Sequence, residues 1–148
     1  MSPLPHYRPK HLSLGPLEAE ILELVWHLGC ATVKDVHQRL LANPNRELAY
    51  TSVTTVLRRL SQKGWLVCDR SNRTYTWTPR ISRQDAQMIE SHEQLQKFLA
   101  ISNPDVVAAF ADSLDRASLD QIDAIAQRLQ AERNARDVRN REEEDPCI

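Results

Sequence analysis

Between Leu17 and Thr78 the spacing of apolar residues switches from helical to strand-like, and that switch limits the chain to few folds. Leu17, Ile21, Leu24, Val25 and Leu28 recur at steps of three and four, which predicts a first helix with one apolar face. Pro16 suits the first turn, where its missing N–H costs nothing. Glu18 and Glu20 complement the helix dipole there, and Gly29 is the expected stop. A second helix is expected from Thr32, capped with Asp35, carrying Val33, Val36, Leu40 and Leu41 inward and ending at Asn43-Pro44-Asn45. A third spans Thr51 to Lys63, with Val53, Val56, Leu57 and Leu60 on one stripe and Gly64 as a left-handed cap. Then the period shortens. Trp65-Leu66-Val67-Cys68-Asp69 and Thr74-Tyr75-Thr76-Trp77-Thr78 are β-branched and aromatic, and the polar tip Arg70-Ser71-Asn72-Arg73 joins them into a hairpin. Three short helices followed by a hairpin make a winged helix-turn-helix over residues 14–80. The fold class is mainly α with a small β-hairpin.

Residues 1–13 are read as a flexible or draped arm, with prolines at 3, 5 and 9 and basic Arg8 and Lys10. Beyond Pro79 the pattern is wholly helical. Ser82 with Asp85 opens a helix to about Ile101 that carries Ile89, Leu95, Phe98 and Leu99. Asn103-Pro104-Asp105 starts the next, with Val106, Val107, Phe110 and Leu114, and Ser118 with Gln121 opens a last one striped by Leu119, Ile122, Ile125, Ala126 and Leu129. Such short, one-sided helices cannot close a core alone, so residues 81–132 are read as a helical dimerisation domain. Its expected contacts are Phe98, Val107, Phe110, Leu114, Leu119, Ile122, Ile125 and Leu129. The tail, residues 133–148, is dense in charge and read as disordered.

The formal net charge of −1 hides an asymmetry. Residues 1–80 hold 11 basic and 6 acidic side chains, while residues 81–148 hold 8 and 14. Between 50 and 80, Arg58, Arg59, Lys63, Arg70, Arg73 and Arg80 face one acid, Asp69. A basic half of this kind suits a polyanion. On the third helix the face opposite the apolar stripe presents Thr51, Ser52, Thr54, Thr55, Arg58, Arg59 and Gln62. Short hydroxyls let a backbone approach base edges, threonine methyls can meet thymine methyls, and arginine can reach guanine or phosphate. The helix start favours phosphate, and Tyr50 just before it could bond the DNA backbone or stack. The wing tip, Arg70 and Arg73, could straddle phosphates or enter the minor groove. Any solvated helix shows such a face; its place as third helix beside a basic wing is what favours DNA. One of Arg58 and Arg59 could instead bridge to an acidic neighbour. The expected DNA-contacting set is Tyr50, Thr51, Ser52, Thr54, Thr55, Arg58, Arg59, Lys63, Arg70 and Arg73.

The runs LGPLEAEILELVWHLG, ATVKDVHQRL and AYTSVTTVLRRLSQKGWL, with a wing ending Tyr75-Thr76-Trp77-Thr78-Pro79, resemble the penicillinase-repressor family (BlaI/MecI, with the copper-responsive CopY branch). The most specific part runs from Thr51 to Gly64, and Glu18, Glu20 and Trp26 fit as well. The resemblance, over about residues 12–130, implies a homodimeric repressor whose winged domains bind an inverted-repeat operator in double-stranded DNA. It further implies release by cleavage in the dimerisation region, triggered by a membrane sensor metalloprotease of the BlaR/MecR type. The family's cleavage position, before a phenylalanine, falls on the Ala109–Phe110 bond. Better-known members have asparagine where this chain has Ala109, and Phe110 also serves as a core anchor in the plainer reading.

Enzyme chemistry is not expected. Three glycines in 148 residues form neither G-x-G-x-x-G nor a phosphate loop. His6, His11, His27, His37 and His92 give no metal-binding spacing, and no nucleophile–base grouping or paired carboxylates can be argued. No metal or cofactor is expected. Cys30, Cys68 and Cys147 form no C-x-C or C-x-x-C, and the C-terminal C-x-C pair of CopY repressors is absent; Cys30 and Cys68 are read as small buried hydrophobes. Apolar runs fall short of the roughly 20 residues a span needs, and the first residues lack an apolar signal core, so a cytoplasmic protein without membrane insertion is expected. Two further readings stay open: a regulator of the same fold that senses metal, redox state or a small ligand directly, as MarR-like proteins do, and a winged domain used for protein contact.

Overall fold

A computed structural model describes residues 4–43 and 47–144. The described helices are α1 (Pro16–Leu28), α2 (Val33–Leu41), α3 (Tyr50–Gln62), α4 (Arg83–Leu99), α5 (Pro104–Ser113) and α6 (Arg116–Glu144). Between α3 and α4, β1 (Leu66–Asp69) and β2 (Thr76–Pro79) pair antiparallel, with Leu66 opposite Pro79 and Asp69 opposite Thr76. The chain divides into two compact units after Leu99.

The first unit is a winged helix. Its helices start and stop on local chemistry: Thr32 Oγ1 accepts from Asp35 N at 3.1 Å while the Asp35 carboxylate accepts from Thr32 N at 3.0 Å. Gly29 N closes α1 on the Val25 carbonyl at 2.8 Å. The apolar stripes of α1, α2 and α3 meet in one core with Ile21, Val25, Val36, Val53, Leu57 and Leu60 sealed from solvent. Leu41, expected inward, is 42% exposed, while its neighbour Leu40 carries the buried face of the last turn of α2. The hairpin closes the core through Trp65, Leu66 and Trp77. Ala31 pairs with Trp77, so the loop before α2 adds a short third rung to the wing.

The winged unit extends past residue 80, where the sequence placed its end. Ile81, Ala86 and Ile89 sit in the same core, so the first half of α4 belongs to it. Trp26 Nε1 donates to the Ile81 carbonyl at 2.8 Å, Arg83 pairs with Glu23, and Ser82 Oγ caps α4 by accepting from Asp85 N at 3.1 Å. Fusing α4 to the wing buries apolar area that the hairpin alone would leave wet.

The arm is draped rather than flexible over its described part. Pro9 is fully buried, Tyr7 Oη donates to the Gly64 carbonyl at 2.6 Å, and His11 N donates to the Lys63 carbonyl at 3.3 Å. Trp65 Nε1 donates to the His11 carbonyl at 2.9 Å, and the Arg80 guanidinium lies 4.3 Å from the Tyr7 ring centre. Gly64 is required twice at this joint. Its φ is +91°, and a Cβ there would stand 2.8 Å from Tyr7 Oη and 3.3 Å from Pro9 Cα.

The second unit is built differently. Asn103 Oδ1 caps α5 by accepting from Asp105 N at 2.9 Å, yet neither α5 nor α6 contains a buried residue. The cap of α6 is Asp115, whose carboxylate accepts from Ser118 N at 2.8 Å, so the helix begins before the expected Ser118. It also continues through Glu144, where the sequence suggested a disordered tail from residue 133. The physical reason lies in composition: residues 130–144 lack Gly and Pro, and Glu132–Arg136 and Asp137–Arg141 place opposite charges four apart, acid first. Among the described residues no helix is long and apolar enough to cross a membrane.

Candidate nucleic-acid interface

Burial of Val53, Val56, Leu57 and Leu60 turns the opposite face of α3 outward. Thr51, Thr55, Arg58, Arg59 and Gln62 are exposed, Tyr50 is 51% exposed, and Ser52 and Thr54 are half-buried. Thr54 Oγ1 donates to the Tyr50 carbonyl at 3.2 Å and Thr55 Oγ1 to the Thr51 carbonyl at 2.9 Å. With their protons used inside the helix, these hydroxyls offer a base edge only lone pairs and the adjoining methyls. Arg58 and Arg59 carry the positive charge of this face. Arg59 also lies close enough to Glu18 to help hold its carboxyl below the usual range.

The wing presents a second basic point. Arg70 and Arg73 are exposed at its tip, and the Arg70 guanidinium sits 5.6 Å from the centre of the Tyr75 ring. Asp69, the one acid of the segment, is tied into the turn. Ser71 Oγ donates to its Oδ1 at 2.6 Å and Ser71 N at 2.9 Å, and these bonds hold the carboxyl below its ordinary value. Tyr75 reads in the sequence as a strand residue and not as a DNA contact; it lies next to Arg70, just beyond the Asp69–Thr76 pair.

Lys63 departs from expectation. Its Nζ lies 3.0 Å and 2.9 Å from the two Glu18 carboxylate oxygens and donates to the Ser13 carbonyl at 2.9 Å. The side chain is committed to joining the end of α3 to the start of α1, because it leaves α3 on the side of the arm. Glu18 also accepts from Gly15 N at 3.2 Å. Burial alone would raise its pKa, but the Lys63 and Gly15 hydrogen bonds outweigh that and hold it low. The cysteine expectation fails for Cys30, which is exposed in the loop after α1, while Cys68 is half-buried against the core. Cys147 lies outside the described residues, as does most of the Asn43-Pro44-Asn45 turn. His37, noted in the sequence only for lacking metal-binding spacing, bonds the Leu48 carbonyl through Nε2 at 2.8 Å and meets the Tyr50 ring edge-on at 5.6 Å. No periodicity links residues 37 and 50, so this contact had no sequence signal.

A three-helix frame that turns a basic third-helix face and a basic wing outward defines a winged-helix DNA-binding protein. The sequence profile of the family described as penicillinase repressor matches residues 14–131. The transcriptional regulator BlaI of Mycobacterium tuberculosis is 30% identical over 120 residues, 78% of this chain and 82% of that protein. A penicillinase repressor of Bacillus licheniformis is 24% identical over 121 residues, 82% of this chain and 92% of its own. Among solved structures, that of B. licheniformis BlaI in monomeric form with the blaP half-operator has 22% identity and a TM-score of 0.41, over 57% of this chain and 93% of that one. The chain belongs to the penicillinase repressor family, whose members are transcriptional repressors and not enzymes.

Proposed function

We propose that the protein represses transcription as a homodimer on an inverted-repeat operator, reading each half-site with α3 and the wing. The observation that carries this reading is the contrast between a sealed winged core and a second unit with no buried residue among those described. Val107, Leu119, Ile122, Ile125 and Leu129 are 43–57% exposed in the single chain, and a second copy laid on that stripe would bury them. Phe110 is 39% exposed, Leu114 is half-buried, and Phe98 lies on the last turns of α4 in the first unit. Within each half-site, Tyr50, Thr51, Ser52, Thr54, Thr55, Arg58 and Arg59 serve the groove and phosphates, and Arg70 and Arg73 the flanking backbone. Pairing two weak winged domains raises the local concentration of the second, so the dimer holds an operator that one domain would release.

Release follows from the same arrangement. Cutting the Ala109–Phe110 bond, by a membrane sensor metalloprotease of the kind the family uses, would separate the winged domain from α6 and remove the gain from pairing. This bond lies inside α5, a ten-residue helix with no buried residue. Helices this short are marginal without packing, so α5 can open to present an extended segment to a protease. Selection of genomic fragments by the purified full-length protein at moderate salt tests the first part. A recovered inverted repeat supports the dimeric repressor, and recovery of salt-labile fragments with no common motif rejects it. An N-terminal fragment ending at Ala109, found by mass spectrometry when the neighbouring genes are induced, tests the second; intact protein under induction would sink cleavage.

A further inference from the structure

The start of α3 is the part of the DNA-facing surface with the least local support. Its N-cap is Ala49, which has no side-chain acceptor to offer, and both Ser52 N and Val53 N converge on the Ala49 carbonyl at 3.0 and 3.3 Å. The threonine hydroxyls bonded back to the Tyr50 and Thr51 carbonyls favour bending over tightening of that turn. What holds it comes from another helix. His37, half-buried on α2, bonds the Leu48 carbonyl at 2.8 Å, and since a carbonyl only accepts, Nε2 carries the proton. The same ring meets Tyr50 at 75° with centres 5.6 Å apart, a favourable edge-to-face arrangement. Leu48 is half-buried against the core, so the segment before α3 is gripped through both backbone and side chain.

We propose that His37 is a positioning residue for DNA binding: it fixes Leu48 and the Tyr50 ring, and through them the first turn of α3, without touching DNA. The proposal rests on the reading of α3 as the DNA-reading helix. It makes Tyr50 a contact whose placement is set from α2. Loss of the Nε2 donor would let Leu48 and Tyr50 move together while the buried stripe from Val53 to Leu60 stays in place.

The test compares His37→Phe, which keeps a ring against Tyr50 but has no donor, with His37→Gln, which keeps an N–H donor. Amide hydrogen exchange reads the helix start without DNA, and titration of the selected genomic fragment against a scrambled duplex of equal length reads specific binding. Expected for His37→Phe is faster exchange at Ser52 and Val53 by about three- to tenfold, with Leu60 unchanged, and a similar loss of specific affinity. His37→Gln should recover most of both. The His37→Phe/Tyr50→Ala double variant should lose less than the sum of the two single losses, because part of the His37 effect acts through Tyr50. Unchanged exchange in His37→Phe, additive losses in the double variant, or wild-type binding by His37→Phe while Arg58→Ala weakens it would overturn the proposal and leave the DNA reading intact. Wild-type binding by both Arg58→Ala and Arg73→Ala would overturn the DNA reading and the proposal with it.

Discussion

The two units of this chain use the same ingredients, short amphipathic helices with sound caps, and reach opposite results. In the first, the stripes of α1, α2 and α3 and the first half of α4 meet in one core: buried hydrophobics run from Ile21 to Ile89, and the hairpin and arm cover what three helices leave open. In the second, α5 and α6 are capped by Asn103 and Asp115, yet none of their residues is buried. Capping and periodicity make a helix. Burial makes a domain.

The sharpest way to break the contrast is to separate the units. A fragment of residues 1–99 should unfold cooperatively in urea near the midpoint of the full chain, whereas residues 100–148 should gain helicity with concentration. Concentration-independent helicity in the second fragment would end the comparison. Next in size are paired core and stripe substitutions. Leu57→Ala should destabilise the first unit by about 2–5 kcal/mol in chemical unfolding. Ile122→Ala should leave that transition in place and weaken self-association by about tenfold in sedimentation equilibrium, the loss of a partly buried side chain.

Smaller effects sharpen the picture of the first unit. Gly64→Ala should cost about 1–3 kcal/mol, since it combines a positive φ with displacement of Tyr7. Its signature would be quenching or shift of Trp65 fluorescence as the His11 bond loosens. Arg58→Ala should weaken specific DNA binding by about 1–3 kcal/mol if it reads a base, while Arg73→Ala should reduce the salt slope by about one. Smallest is the pH dependence of the Glu18–Lys63 pair. The folded Glu18 pKa is lowered, so its contribution is fully present above the ordinary value of 4.5 and is lost as pH falls through the lower folded value. Thermal melts should therefore show a shallow acid loss that Glu18→Gln removes; an unchanged acid limb in that variant would assign the effect elsewhere.

Much of the winged helix was legible before any coordinates. The stripes of α1 and α3, the Thr32–Asp35 and Ser82–Asp85 caps, Gly64, and the basic tip of the hairpin all declare themselves through local rules of period, capping and turn chemistry. The exposed face of α3 followed from its buried one. The errors share a cause. Lys63 looked like a phosphate contact because a sequence shows its charge but not Glu18, forty-five positions earlier, waiting across the core boundary. The arm stayed open between flexible and draped because its prolines hide the packing of Tyr7 and Pro9 beside Gly64. The tail looked disordered because of its charge density, although its acid–base pairs one turn apart each favour a helix by a few tenths of a kcal/mol.

The sequence by itself determined the helices of the winged unit, the Thr32 and Ser82 caps, the hairpin and the sign of the charge on the exposed face of α3, because each arises from residues within a few positions of one another. Only the tertiary structure decided which cations remain available, where the winged unit ends, and what steadies the start of α3. Those outcomes depend on residues far apart in sequence: the contacts of Lys63 with Glu18, Ile89 with the wing core and His37 with Leu48 form only when the chain has closed on itself.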